Sequence, residues 1–391
     1  MNAEGSGANA ALSNELLERA RRMVPMLQEI AARQEGEGRV ASEVIAGFRA
    51  AGLFRVLQPK RWGGYELSPQ LFSDIQMTLA EGDMSAAWVF GVMGVHNFQM
   101  ALFDDRAAQE VWGADDARLI SSTYQPGGVA TRAEGGYRFS GRWKFSSGID
   151  HAQWVFLGGI YEGEFLTCLV PRGDYRIVQA WDVFGLKATG SQDVVVEDIF
   201  VPEYRVHKVS DGFKCDSPGN AVNTAPLYRL PFPQVFIRAI TSSSIGALQG
   251  MLNAFQGYAA SRVGTVAGAT RNDPDAQAVC AEIIAAIDEM KCVMQRNYDA
   301  LLRQAEAGGV PPMDQRLLYK YQAASVPERC LQLAARLFKC TGGTGIFAAQ
   351  PFGRYYRDII TARQHAASQG QVVARSWGSV LLGNENTEWY I

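Results

Sequence analysis

Apolar positions recur at helical spacing over roughly the first hundred residues, with Leu16, Ala20, Val24, Leu27 and Ala31 sharing one face. Ser13 or Asn14 stands where an N-cap is wanted. A second helix is expected over 41–51, stopped by Gly52, and the Gly- and Pro-marked loop QPKRWGGYELSP leads to two more, over 70–81 and 85–103. The segment AAWVFGVMGVHNFQMALF is the most membrane-like stretch. It reaches spanning length, but His96, Asn97 and Gln99 interrupt it and Asp104-Asp105 close it, so a buried helix of a soluble core is expected.

The pattern changes after Leu119. From Tyr137 to about Val209 short runs rich in β-branched and aromatic residues (YRFSGRWKF, WVFLGGIY, FLTCLVP, YRIVQAW, DVVVEDIFVP) alternate with Gly, Asp and Pro, the spacing of an antiparallel barrel or sandwich. Residues 210–233, with Pro and Asn, read as a linker or excursion. Helical periodicity returns over 237–263, over 275–307 behind Asp273-Pro274, over 313–340, and over 354–382 after the glycine run TGGTG. The chain therefore reads as an α+β protein: a helical domain over 1–120, a β domain over 121–233 and a helical bundle over 234–391.

With 37 basic and 40 acidic residues in 391, the net charge of −3 gives no electrostatic reason to expect nucleic acid or an acidic membrane surface as partner. The first fifteen residues, MNAEGSGANAALSNE, lack a basic stretch and an apolar core, and a cytoplasmic protein is expected. Six cysteines form neither a CxxC pair nor a ligand-like cluster, so reduced thiols and no metal site are expected.

The four histidines are few enough to weigh singly. His96 lies inside the apolar stretch 86–103, where an imidazole is costly unless hydrogen-bonded, and reads equally as a satisfied core residue. His365 falls on the expected last helix, opposite Arg357, Asp358 and Arg363; His151 and His207, beside strand ends, read as structural. The run Gly342-Gly343-Thr344-Gly345 either offers backbone amides to a phosphate or simply turns between helices; no strand leads into it, so the nucleotide fingerprints are not met. Ser146-Ser147-Gly148 ends a strand and either presents hydroxyls to a ligand or makes a turn. Neither Gly-x-Ser-x-Gly nor HExxH occurs, which leaves hydrolase and zinc-protease chemistry without its parts.

Taken in order, these pieces resemble the acyl-CoA dehydrogenase fold over nearly the whole chain, which implies a helical domain, a central antiparallel β-barrel or sandwich and a C-terminal four-helix bundle. YRFSGRWKFSSGIDHAQW resembles that fold's flavin motif, and the register puts Ser147 at flavin N5, with Phe145 beside the ring and Ser146 and Ser122 among the flavin-side hydroxyls. WDVFGLKATGSQDVVVEDIFVP resembles its second β motif and brings in Gly190 and Ser191. IGALQGMLNAFQGYAASR resembles the bundle helix whose terminal arginine, here Arg262, reaches flavin phosphate, and KCTGGTGIF with RYYRD resembles the C-terminal glycine turn, Gly342 and Gly343 included.

The departures from that family concern its chemistry. Dehydrogenases of this fold use a glutamate base; the two matching positions here are Ala366 and Gln249, and neither titrates. The neighbouring His365, together with WVFGVMGVHNFQMALF, KFSSGIDHAQWVFLGG and RYYRDIITARQHA, is similar to the acyl-CoA dehydrogenase-fold flavin monooxygenases (group D), and most similar to secosteroid and 4-hydroxyphenylacetate hydroxylase oxygenase components. That resemblance implies a two-component enzyme in which reduced flavin and O2 form a C4a-hydroperoxide that hydroxylates a phenolic aromatic ortho to its hydroxyl. It implies catalytic His96 (substrate base), His365 (at the peroxide) and Ser147, a hydroxyl donor holding the N5 proton. It implies FMNH2, or FADH2, delivered by diffusion from a separate NAD(P)H:flavin reductase, since the chain carries no GxGxxG module, and it implies a homotetramer. The rival readings are N- or S-oxygenation on the same scaffold, acyl-CoA dehydrogenation, and a non-catalytic relative that kept the fold.

Overall fold

The computed structural model describes residues 3–264, 268–388 and 390–391. Helix α1 (Ala3–Glu37) begins well before the expected cap, and Ser13 lies inside it with Oγ donating to the Asn9 carbonyl one turn back at 2.7 Å. Helices α2 (Ser42–Ala50) and α3 (Pro69–Ala80) follow, and the Asp83 side chain caps α4 (Met84–Met100) by accepting from Ser85 N at 2.8 Å. A short α5 (Asp105–Trp112) closes the region. Helix α4 is buried on every side, as a helix apolar all round must be. Its Phe90 ring gathers Phe72, Phe54 and Phe48 at 4.9, 5.6 and 5.8 Å. Phe90→Ala should therefore destabilise the protein by about 3–5 kcal/mol in chemical denaturation; a loss below about 1 kcal/mol would show that the cluster does not hold these helices together.

The middle of the chain forms one seven-stranded sheet in the order β5-β6-β2-β1-β3-β4-β7. Its strands are β1 (Ile120–Ala133), β2 (Gly136–Ser146), β3 (Trp154–Tyr161), β4 (Glu164–Pro171), β5 (Arg176–Val178), β6 (Gln192–Pro202) and β7 (Val206–Lys208). The expected purely antiparallel sheet is corrected here, because β1 and β3 pair in parallel. Strand β1 itself was hidden by Pro126-Gly127-Gly128 at its centre, where its pairing with β3 slips between Thr123 and Gly128. A side chain at Gly128 would stand 2.5 Å from the Trp143 ring and 2.6 Å from Phe139, so the break in the pattern is what lets these rings fill the sheet.

Residues 210–233 are not a loose linker. They hold α6 (Val209–Lys214) and two three-ten turns, and Gly219 N and Asn223 Nδ2 donate to the Leu102 and Ala101 carbonyls at 3.0 and 2.8 Å, satisfying the end of α4.

The C-terminal region opens with α7 (Phe232–Ser261), followed by a short hairpin, β8 (Val263–Gly264) with β9 (Gly268–Ala269), and α8 (Pro274–Glu306), capped by Asp273 as expected. The expected helix over 313–340 is two, α9 (Met313–Ala324) and α10 (Val326–Cys340), because Pro327 has no N–H to continue the ladder. The last expected helix is also two, α11 (Phe352–Arg363) and α12 (Gly370–Leu381). Helices α7, α8, α10 and α11 pack as the expected bundle, with α9 and α12 paired beside it. Among the described residues α7 is the one helix long and apolar enough to cross a membrane, and 94% of that stretch is buried inside the protein, as a core helix is.

Candidate active site

Strand β2 delivers the Ser146-Ser147-Gly148 turn through a bulge in its pairing with β6, between Trp143 and Ser146. The bulge holds Phe145 at φ +69°, a left-handed conformation costing about 1–3 kcal/mol for a non-glycine residue, and leaves its ring 54% exposed against Trp181. Gly148, also left-handed at φ +69°, could not carry a side chain without meeting Val89 and Met93 of α4 at 2.8 and 2.9 Å. Close approach to α4 is the result.

There Trp88 Nε1 donates to Ser147 Oγ at 3.1 Å. Ser147 Oγ lies 2.8 Å from Ser191 Oγ, Ser191 lies 2.7 Å from Thr189 Oγ1, and Thr189 donates to the Leu186 carbonyl at 2.8 Å. Gly190, left-handed at φ +52°, turns the chain between these two hydroxyls. Ser146 points away from this row: its Oγ meets Ser121 Oγ at 2.9 Å, while Ser121 donates to the Ser147 carbonyl at 2.8 Å and so fixes the turn from behind. Trp143 is fully buried in the sheet, donating to Gly158 O at 2.7 Å, and does not wall the site.

His365 is not on a helix, which corrects the expectation. It sits in the break between α11 and α12 and caps the three-ten turn Ala366–Ser368, with Nδ1 accepting from Ala367 N at 3.0 Å. Its hydrogen is therefore on Nε2, which makes it a donor. Its ring meets the edge of Trp88 at 5.6 Å, so it shares a wall with Ser147.

His96 has the opposite arrangement. It is fully buried, and Nδ1 lies 2.7 Å from the Ile120 carbonyl, which can only accept. The hydrogen is on Nδ1, and Nε2 is a bare acceptor, buried and without a partner among the described residues. Burial pushes the pKa of both histidines down to about 4. Phe156 stands edge-on to His96 at 5.4 Å and Tyr124 at 6.2 Å; the Tyr124 hydroxyl bonds Gln99 and interacts with Ser122, and Phe236 closes the side at 5.1 Å. Trp88, Thr189, Tyr124 and Ser121 were not singled out from sequence, and Gln99 only as a polar interruption of the apolar run. His151 and His207 are satisfied as structural residues, by Val40 O at 3.0 Å and Ser217 Oγ at 2.9 Å.

The neutral His96 has a consequence for stability. Its folded pKa of about 4 lies below the usual 6.5, so its contribution is complete above about pH 6.5 and is lost as the pH falls toward 4. The Tm gap between the native protein and His96→Asn should therefore narrow over that window; a gap independent of pH would show that His96 is not held neutral.

Arg262 and Gly342 come together: the guanidinium bonds the Tyr258 hydroxyl and stacks over its ring at 5.1 Å, and Tyr258 donates to Thr341 O at 2.6 Å beside the Gly342–Ile346 turn. They do not join the hydroxyl row. Ile237 of α7 packs in the cluster that includes Ala367, next to His365, and 25 residues of helix separate it from Arg262, about 38 Å at 1.5 Å per residue. The two positions where dehydrogenases of this fold carry a base hold Gln249, bonded to Asn253 at 2.8 Å, and Ala366.

Residues 239–370 match the family model described as acyl-CoA dehydrogenase, C-terminal domain. The chain is 35% identical over 374 residues to the flavin-dependent monooxygenase, oxygenase subunit HsaA, of Rhodococcus jostii, covering 94% of this chain and 98% of that one. It belongs to the flavin-dependent monooxygenase oxygenase subunits. The crystal structure of 3-HSA hydroxylase from a Rhodococcus species superposes with a TM-score of 0.93 at 34% identity, covering 96% and 99% of the two chains. The FADH(2)-dependent resorcinol hydroxylase, oxygenase component, of a Rhizobium species is 30% identical over 90% of this chain and 91% of its own. The chain is thus an enzyme of the acyl-CoA dehydrogenase fold that works with flavin.

The residues present fit that cofactor. An exposed aromatic ring (Phe145) and Trp181 offer faces for a flat ligand, and the hydroxyl of Ser147, held from both sides, offers a polar contact at its edge.

Proposed function

We propose that this monooxygenase hydroxylates a phenolic aromatic ortho to its hydroxyl, with His96 as the base toward the substrate, His365 as the N–H donor on the oxygen side and Ser147 at N5 of the reduced flavin. The observation that carries the reading is the orphaned Nε2 of His96, a bare acceptor among aromatic rings with no partner among the described residues. A neutral imidazole there accepts the phenolic proton and leaves the ring carbon electron-rich for attack. His365, with Nδ1 already accepting from Ala367 N, has Nε2–H free to steady negative charge on oxygen. The apolar residues of α4 and the rings of Phe156 and Phe236 keep water from both.

Reduced flavin, when bound, supplies the electrons that activate O2. FMNH2 is the expected form, with FADH2 as the alternative; names of relatives such as the resorcinol hydroxylase oxygenase component support a separate reductase that makes it from NAD(P)H. Because Arg262 lies at the far end of α7, with the Gly342 turn beside it, the flavin phosphate end they serve is that of a neighbouring copy. Exposed Ile346, Phe347, Leu381 and Leu382 at the C-terminal region supply apolar surface for such a homotetramer. Six unpaired cysteines accord with a cytoplasmic setting.

The test is a coupled assay with a separate NADH:FMN reductase, a series of phenols and isotopically labelled O2. One labelled oxygen in a catechol product is expected. Unlabelled product, or oxidation of acyl thioesters in place of phenols, would overturn the reading.

A further inference from the structure

We propose that Thr189 and Ser191 are positioning residues that set the direction of the Ser147 hydroxyl, so that this site accepts an N–H and repels a bare ring nitrogen. It would thereby hold reduced flavin and release oxidised flavin. The inference rests on the reading that Ser147 faces flavin N5.

Both ends of the hydroxyl row are fixed by groups with one possible role. At one end Trp88 Nε1 is a donor only, so Ser147 Oγ accepts at 3.1 Å. At the other end the Leu186 carbonyl is an acceptor only, and a hydroxyl oxygen 2.8 Å away must place its hydrogen between them; the alternative is lone pair against lone pair. The single hydrogen of Thr189 is then used. The 2.7 Å contact that follows requires Ser191 to donate to Thr189, and the 2.8 Å contact after it requires Ser147 to donate to Ser191. Three hydroxyl hydrogens serve three bonds. What Ser147 has left is a lone pair.

Ser147 is thus an acceptor toward any ligand, where the sequence suggested a donor. The reduced flavin ring carries a hydrogen on N5 and completes the row. The oxidised ring presents a lone pair at N5 and meets another lone pair. All four side chains are buried, so water cannot insert to reverse the row. The far end is itself anchored: Leu186, left-handed at φ +52°, donates its N–H to Asp358 Oδ1 of α11 at 2.6 Å, and its carbonyl also receives Thr189 N and Trp181 Nε1 at 3.1 Å each. Turning the row around would break the Thr189–Leu186 bond and set two oxygen lone pairs face to face there, while Trp88 would still donate to Ser147.

The experiment is anaerobic titration of the full-length protein with FMNH2 and aerobic titration with FMN, reading the ratio of the two Kd values, with a thermal melt for each variant. In Thr189→Val the acceptor for Ser191 is gone, Ser191 is free to donate to Ser147, and Ser147 to a bare N5. The ratio should fall by about tenfold or more, chiefly through tighter FMN binding. Thr189→Ser keeps the hydroxyl and should keep the ratio; Ser191→Ala interrupts the row at a second place and should lower the ratio as Thr189→Val does. A folded Thr189→Val with the native ratio, or a Thr189→Ser that loses the ratio as fully as valine does, would overturn the proposal. Ser147→Ala separates the two levels of the argument. If it leaves both Kd values unchanged, Ser147 does not face the ring and the underlying reading fails. If it weakens FMNH2 while Thr189→Val changes nothing, the reading stands and the directed row fails.

Discussion

His96→Ala should lower hydroxylated product by roughly 10²–10⁴-fold, the contribution of a positioned general base, while leaving the Kd for reduced flavin within about twofold of native. The separation follows from where the residue stands. His96 reaches the Ile120 carbonyl and the Phe156 and Tyr124 rings, whereas the flavin-side groups, Ser147 and His365, are joined to one another through Trp88. Oxidation of NADH through the reductase should continue in the variant, with the electrons released as hydrogen peroxide in place of product. The cavity left by the imidazole will lower Tm, so His96→Gln, which keeps an acceptor and part of the volume, serves as the partner variant. Native turnover in a folded His96→Ala would return the residue to the core and remove it from the chemistry.

Ser147→Ala should raise the fraction of reducing equivalents lost as hydrogen peroxide by about tenfold, because one buried hydrogen bond to the ring edge is worth about 1–3 kcal/mol when its partner is left unmatched. Trp88 Nε1 and the Ser191 oxygen lose their common partner in the same step, so the flavin-side wall loosens as well. The measurement is peroxide formed per NADH consumed at saturating phenol. Unchanged coupling in a variant that still binds FMNH2 would take Ser147 out of the mechanism.

The parts of the fold that were legible in sequence are those governed by local chemistry. Helix α4 was placed to within a few residues because a continuous apolar run closed by Asp104-Asp105 marks it, and α8 because Asp273-Pro274 is a strong start. Strand β1 was lost because Pro126 and two glycines break its β pattern, while Gly127 and Gly128 make room for the Trp143 and Phe139 rings from a neighbouring strand. The breaks at Ser325 and at 364–369 were also lost, since periodicity runs across them; the second matters most, because it turns His365 from a helix-face residue into a capping residue with a fixed tautomer. Ser147 and Ser191 were legible through resemblance to a flavin fold, and His96 through the oddity of an imidazole in an apolar helix. Trp88 and Thr189 had no local signal. Their roles arise where α4, the end of β2 and the turn before β6 meet, and one tryptophan among eight or one threonine in a loop looks ordinary until those segments are brought together.

The most direct test of the account is rapid mixing of the FMNH2-loaded protein with oxygenated buffer, following the return of the oxidised-flavin absorbance. A site built to exclude water and hold N5 predicts that this absorbance returns after a clear delay, and that the delay shortens in Ser147→Ala. Return at the rate of free FMNH2 in the native protein would contradict it.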